Sequence, residues 1–407
     1  MNSGTNANRI EQGRPEADEP SDPVAAATHP DPYPYYARLV AQRPFYRDER
    51  LGCWVASSAA AVMEVLASNL CCVRPPTEPV PRALVGSPAG EIFRHLVRMN
   101  DGDRHCPLKS AIVATLEGAD TTLLAHIAAR HANALIDALS PHLDRSALNR
   151  FMFALPVGTI ATLLGVPATG LDATCEDVAA FVDGISPIAD TAAVARATHA
   201  AARLIQSFRG LLDVEARKGE PTLLNALARN AHSVGRGAED LVVMNGIGFM
   251  SQTYEATAGL IGNTLIALSR RADIVSAVRE SPALLEWVVQ EVLHADPPTQ
   301  STRRFVARPG TVAGVPMQAG DAILVMLAAA GRDPACNPEP DQFNLARKDR
   351  RIVNFGSGVH ACPAYKIAPL IAQIAVAHLL SAGIELDGLE RPASYRRSNH
   401  LRVPIFD

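Results

Sequence analysis

Asn354-Phe355-Gly356-Ser357-Gly358-Val359-His360-Ala361-Cys362-Pro363-Ala364 places one cysteine at the end of a glycine-bearing loop. A run with helical apolar spacing follows at once, with Ile367, Leu370, Ile371, Ile374 and Leu379 recurring along it. A thiol at such a junction is expected to face unpaired backbone N–H groups and the positive end of a helix dipole. Both favour the thiolate, the form that ligates metal. The glycines let the loop pass close to a flat ligand. Phe355 offers a ring to pack on that ligand, and His360 offers a basic group to an acidic edge of it. Thiolate, basic residue, glycines and aromatic at these spacings suit a haem held by cysteine. Cys53, Cys71, Cys72, Cys106, Cys175 and Cys336 have no such company and read as small buried hydrophobes.

Composition sets the frame for this loop. The chain has 407 residues, 48% of them hydrophobic, enough for a sizeable core. A formal net charge of −4 argues against nucleic acid as a partner. Seven cysteines without a CxxC fit a reducing compartment. No apolar run reaches membrane-spanning length. Residues 1–28 are mostly polar and lack the apolar core of a signal peptide, so a disordered tail and a cytoplasmic protein with no membrane partner are expected. Helical spacing covers Leu123 to Leu139, Ala192 to Leu212 and Leu284 to Leu293. Strand-like stretches are short: Cys53 to Ala56, Gly310 to Val315 with a turn at Pro316, and Ala322 to Leu327. The expectation is one mainly α domain with small β-sheets over residues 29–407.

Leu241 to Leu268 is apolar nearly all round, as a helix at the centre of a protein would be. In its middle lies Ser251-Gln252-Thr253-Tyr254-Glu255-Ala256-Thr257. Buried polar groups cost free energy unless paired, so this cluster is either a satisfied network or a functional site.

The cysteine loop resembles the haem-binding loop of the cytochrome P450 family, Phe-x-x-Gly-x-His/Arg-x-Cys-x-Gly/Ala, with Phe355, Gly358, His360, Cys362 and Ala364 in its positions. Other segments resemble the family in order. His29-Pro30-Asp31-Pro32-Tyr33 looks like the entry to the first helix. His105 and Lys109 match a His-x-x-x-Arg pair, and Arg304 matches a further propionate-binding arginine. Arg332-Asp333-Pro334, Phe343 and Arg347 match the approach to the loop. The resemblance implies a triangular prism with haem b (iron-protoporphyrin IX) between a long distal helix and the cysteine-loop helix. Cys362 would be the iron ligand, and His105, Lys109, Arg304 and His360 would surround the propionates.

Three departures from the family pattern stand out. On the distal helix, Glu255 takes the acid position and Ala256 the threonine position, with Gln252 and Thr253 in place of two small residues. The hydroxyl has moved to Thr257, so Glu255, Thr257 and Gln252 are the catalytic candidates, with altered proton delivery expected. Glu291-Val292-Leu293-His294 replaces the family's Glu-x-x-Arg, leaving Glu291, His294 and Arg347 as a weakened structural triad. Pro369 should kink the helix after Cys362.

By family position, Thr299, Gln300, Ser301, Asn399, His400 and Leu401 line the pocket. With Gln252 they suggest a small, polar, natural-product-like substrate. The implied activity is monooxygenation with a ferredoxin-type electron donor, which Lys109, Lys348, Arg350, Arg351 and Lys366 could dock. Desaturation, ring formation or oxidative coupling with the same cofactor stays open, as does a non-catalytic haem protein.

Overall fold

The central apolar segment forms a single helix, Ala238–Ser269, and the rest of the chain is arranged around it. The computed structural model describes residues 19–140, 142–218, 222–235 and 237–407. The first half of the helix sits in one hydrophobic cluster, with Val243, Ile247 and Met250 against Phe208, Phe181 and Leu224. Its second half sits in another, with Ile261 and Leu265 against Phe151, Met152 and Leu379. Glycine lets neighbours come close. A Cβ at Gly262 would lie 2.5 Å from Pro404 Cγ, and one at Gly259 would lie 2.9 Å from the Arg402 carbonyl.

The expected helices appear as Thr121–Leu139, Thr191–Lys218 and Leu284–Ala295. The first is capped by Asp120, whose Oδ1 accepts from the amides of Thr122 and Leu123. The helix after the cysteine, Ile367–Ser381, packs against both the central helix and Thr121–Leu139. Pro369 lies in its first turn, where N–H groups have no intrahelical acceptor, so the expected loss of a hydrogen bond does not arise.

Among the described residues, nine short strands complete the fold: β1 Phe45–Asp48, β2 Cys53–Ala56, β3 Cys71–Cys72, β4 Thr302–Val306, β5 Gly310–Val312, β6 Val315–Met317, β7 Ala322–Val325, β8 Ser394–Tyr395 and β9 Pro404–Ile405. One sheet runs β1-β2-β7-β4-β3, and β5–β6 and β8–β9 are separate pairs. Only β2 and β7 pair in parallel, with Trp54 opposite Ile323, among the described residues. The β5–β6 turn falls at Ala313 and Gly314, both at positive φ, and not at Pro316, which lies inside β6. Pro316 is tolerated because β6 has only one partner.

Of the stretch expected to be a disordered tail, residues 1–18 lie outside the described residues. Residues further on are packed: Ala26 and Ala27 are buried, and the Ala27 carbonyl accepts from Arg402. Arg402 also donates to the His29 and Pro30 carbonyls and pairs with Asp296 at 2.8 Å. This buried guanidinium ties the start of the described chain to its end. Among the described residues no helix is long and apolar enough to cross a membrane.

Candidate active site

The cysteine loop is held by its own backbone. The Cys362 amide donates to the Phe355 carbonyl at 2.8 Å, and the Gly356 amide to the Val353 carbonyl at 2.8 Å. Gly356 (φ 71°) and Gly358 (φ 67°) take left-handed conformations that a side chain would strain. The helix begins at Ile367, so a turn separates it from the thiol. Burial pushes the Cys362 thiol up, against the Ala364 amide and Lys109, which favour the thiolate. The expected low-pKa thiol at a helix start is therefore not what the loop provides. A cation at the sulfur would have to supply the missing stabilisation.

Beside the loop, three sequence-predicted donors meet. The rings of His105 and His360 lie 4.3 Å apart, and Lys109 Nζ donates to the Ala361 carbonyl at 2.5 Å. His360 Nε2 pairs with Asp101 Oδ1 at 2.9 Å, a partner that sequence reading missed. Arg304 stands on β4, is buried, and among the described residues bonds only its neighbour's carbonyl, Arg303, at 2.9 Å. Asp101 is the acid whose charge Arg304 feels most. His105 is 2% exposed, and its Nε2 has no hydrogen-bond partner among the described residues.

The central helix turns an accessible strip toward the interior. Phe249, Gln252, Thr253 and Ala256 recur at helical spacing and are accessible, while Val243 to Gly248 and Thr257 to Leu268 are buried. Gln252 is exposed there, with its Nε2 donating back to the Gly248 carbonyl at 2.9 Å. Glu255 does not stand free. Its Oε1 accepts from Arg396 Nε at 2.7 Å, and Arg396 also pairs with Asp183. Burial pushes the Glu255 carboxyl up, while Arg396 pulls it back. Thr257, expected among the catalytic groups, is fully buried and bonds Thr253 Oγ1 at 2.9 Å. It lies off the accessible strip.

The sequence profile of the family described as Cytochrome P450 matches residues 246–382, from the central helix through the cysteine loop. The cytochrome P450 monooxygenase PikC of Streptomyces venezuelae is 32% identical over 86% of this chain and 83% of its own. This chain belongs to the cytochrome P450 family. The 6-deoxyerythronolide B hydroxylase of Saccharopolyspora erythraea is 33% identical over 50% of this P450 and 53% of its own chain. The crystal structure of CalO2 superposes with a TM-score of 0.75 at 25% identity, covering 95% of this P450 and 97% of that chain.

The residues of this P450 fit the family's haem. Among the described residues, His105 Nε2 has no hydrogen-bond partner and buried Arg304 makes no ion pair, so both can meet a propionate. Lys109 gives one of its three ammonium donors to the loop carbonyl of Ala361. Outside the loop an open depression of about 700 Å³ is lined by Phe355, Gly356, Cys362, Tyr365, Lys366 and Gln373, among others.

Two further groups of expected residues resolve differently. Glu291 and His294 are fully buried, with Glu291 Oε1 3.4 Å from both His294 Nδ1 and Arg347 Nε. Neither ring nitrogen of His294 makes an aligned hydrogen bond among the described residues. The stronger partner is one the sequence reading placed on the docking surface: Arg350 Nε donates to Glu291 Oε2 at 2.8 Å. Arg350 thus supplies the donor that His294 does not, and it is not free to dock a partner.

Among the pocket candidates, Gln300 is buried with its amide divided between the Pro297 carbonyl and Tyr36. Ser301 and Leu401 are buried as well. Thr299, bridged to Leu401, is partly accessible, as is Asn399. His400 is accessible yet surrounded by protein, as a side chain inside a cavity would be.

Proposed function

We propose that this P450 is a haem-thiolate monooxygenase acting on a small, polar, natural-product-like substrate, with Cys362 as the ligand of haem b. The observation that carries the proposal is the glycine-held Cys362 loop beside the buried donors of His105 and Arg304, neither of them in an ion pair among the described residues. PikC and the 6-deoxyerythronolide B hydroxylase support the hydroxylating reading by their names alone. Bound haem would supply activation of dioxygen with two electrons and insertion of one oxygen atom.

The chain's own residues do the rest. His105 and Arg304 would hold the propionates, while His360 and Lys109 brace the loop through Asp101 and the Ala361 carbonyl. Gln252 offers its amide from the accessible strip to the substrate. Ala256 cannot relay a proton. Glu255, held by Arg396, leads protons inward through water from the Asp183 side. The catalytic domain runs from residue 29 onward, with the packed segment from about Val24 contributing to it. A ferredoxin-type donor would dock at the depression outside Cys362, whose lining includes the exposed Lys366, with Lys348 and Arg351 as further exposed cations.

Cys362→Ser tests the assignment. The reduced carbon monoxide complex of the wild type should absorb near the wavelength that names the family, and the variant should lose that band. A band that persists in the variant removes Cys362 from the iron.

A further inference from the structure

Arg98 was not among the residues singled out by sequence. It lies in the single helical turn Val97–Met99, between the helix Pro88–His95 and Asn100. More than a third of its surface is accessible, yet protein surrounds it on every side. Those two facts together describe an arginine projecting into an enclosed space. Its guanidinium makes no hydrogen bond or ion pair among the described residues. Five donors are therefore unspent inside the protein.

The position of Arg98 is built. Asn245 of the central helix is 1% exposed, and its Oδ1 accepts from the Val97 amide at 2.9 Å. Its Nδ2 donates to the His95 carbonyl at 2.9 Å. Leu96 packs so closely on the same helix that a Cβ at Gly248 would lie 2.7 Å from its Cδ2. Asn100 closes the far side, donating to the Arg94 and Leu96 carbonyls. A segment pinned by buried amides on both flanks holds its arginine in one place.

The surroundings show what it faces. The acid that feels Arg98 is Glu255, on the helix that carries the accessible strip. Glu255 already gives Oε1 to Arg396. His400, from the terminal turn, is the other enclosed group within its field. Burial first, then Arg98 and Arg303, hold that imidazole down to about 4, so it is neutral at pH 7 and supplies no counter-charge. Val97 is bonded to Asn245 and Leu96 packs on Gly248, one turn before the exposed Gln252, so this segment lies along the accessible strip of the central helix. Arg98 therefore stands on the substrate side, and burial lowers its pKa to about 10 in the absence of a close anion.

We propose that Arg98 is the anchor for a carboxylate on the substrate, so that this P450 takes a polar substrate bearing an anionic group. Asn245 is its positioning residue. The guanidinium fork accepts a carboxylate through two parallel N–H···O bonds in an enclosed, weakly screened space. His400 and Gln252 are left to recognise neutral groups of the same molecule. This rests on the haem reading of the site.

The test uses the haem-loaded protein and a series of straight-chain alkanoic acids carrying a terminal imidazol-1-yl group, each paired with its neutral primary amide. Imidazole ligation is read as a shift of the haem absorption band, and varying chain length lets the carboxylate sample the cavity. At one chain length the acid should bind about tenfold or more tightly than its amide, a gap of ~1.4 kcal/mol or more. Arg98→Gln should erase that preference, Arg98→Lys should retain part of it, and Asn245→Ala should reduce it. Haem content should not change in Arg98→Gln. Absence of any acid preference in the wild type, or its survival in Arg98→Gln, overturns the proposal. Loss of haem from Arg98→Gln does so too, by assigning the residue to the cofactor. If imidazole itself gives no shift in the wild type, the haem reading is what fails.

Discussion

Glu291→Gln removes one charge from the core and keeps the shape of the side chain. In the wild type this carboxylate is fully buried and accepts from the Asn344 amide at 2.9 Å and from Arg350 Nε at 2.8 Å. Arg347 and His294 stand 3.4 Å from it. Burial raises its pKa, but the His294 ring facing it and hydrogen bonds from the Asn344 amide and Arg350 outweigh burial and hold the group down at about 2, against an ordinary 4.5. At ~1.36 kcal/mol per pH unit, that gap is worth roughly 3 kcal/mol at pH 7. Breaking a buried ion pair by removing one partner costs about 3–5 kcal/mol, in agreement.

The folded value lies below the unfolded one, so the stabilisation is fully present above the ordinary carboxyl range, near 4.5, and is lost as pH falls through about 2. Equilibrium urea unfolding of the haem-loaded protein, followed by far-ultraviolet circular dichroism, measures it. The variant should lose on the order of 100-fold in its folding equilibrium at pH 7. Its deficit should shrink to about half by pH 3. Turnover per folded, haem-loaded molecule should be unchanged. A variant as stable as wild type at pH 7 would refute the reasoning, as would a deficit that does not shrink in acid. A stable variant that no longer turns over would move Glu291 from structure to catalysis.

Glu255→Ala should slow product formation on the order of 100-fold while leaving the affinity for substrate nearly unchanged. Stopped-flow turnover beside a spectral binding titration separates the two, and an equal loss in both would make Glu255 a binding residue. Gln252→Ala should change substrate affinity or product ratio with little effect on stability, because among the described residues its only hydrogen bond is to a carbonyl of its own helix. Unchanged affinity, products and spectrum would reduce Gln252 to a space-filler.

Much of the cysteine side was legible because its signals are local. Glycines, aromatic, histidine and thiol fall within eleven residues, and spacing alone brings them together. The central helix was legible for a similar reason, since an apolar run with helical length declares its own burial. The polar cluster around Glu255 stood out from that run by composition, and the structure gives Glu255 a partner in Arg396. The sequence reading misjudged Thr257 because a shift of one position rotates a side chain about 100°. Here that rotation takes the hydroxyl off the accessible strip and onto Thr253.

What the chain alone determined, then, is which elements form and which of their residues are chemically unusual for their setting. Tertiary structure decided who meets whom. Glu255 lies 141 positions before Arg396, and Asp183 lies 213 before it, yet one guanidinium joins both. Arg350 reaches Glu291 across 59 positions and takes the place that His294 leaves open. Asn245 holds Arg98 through the Val97 amide, 148 positions away. An arginine in a polar stretch has the same letters on either side of it whether it faces solvent or a cavity. Only the packing of the central helix against that stretch makes the difference, because enclosure is set by contacts remote in sequence that no local pattern encodes.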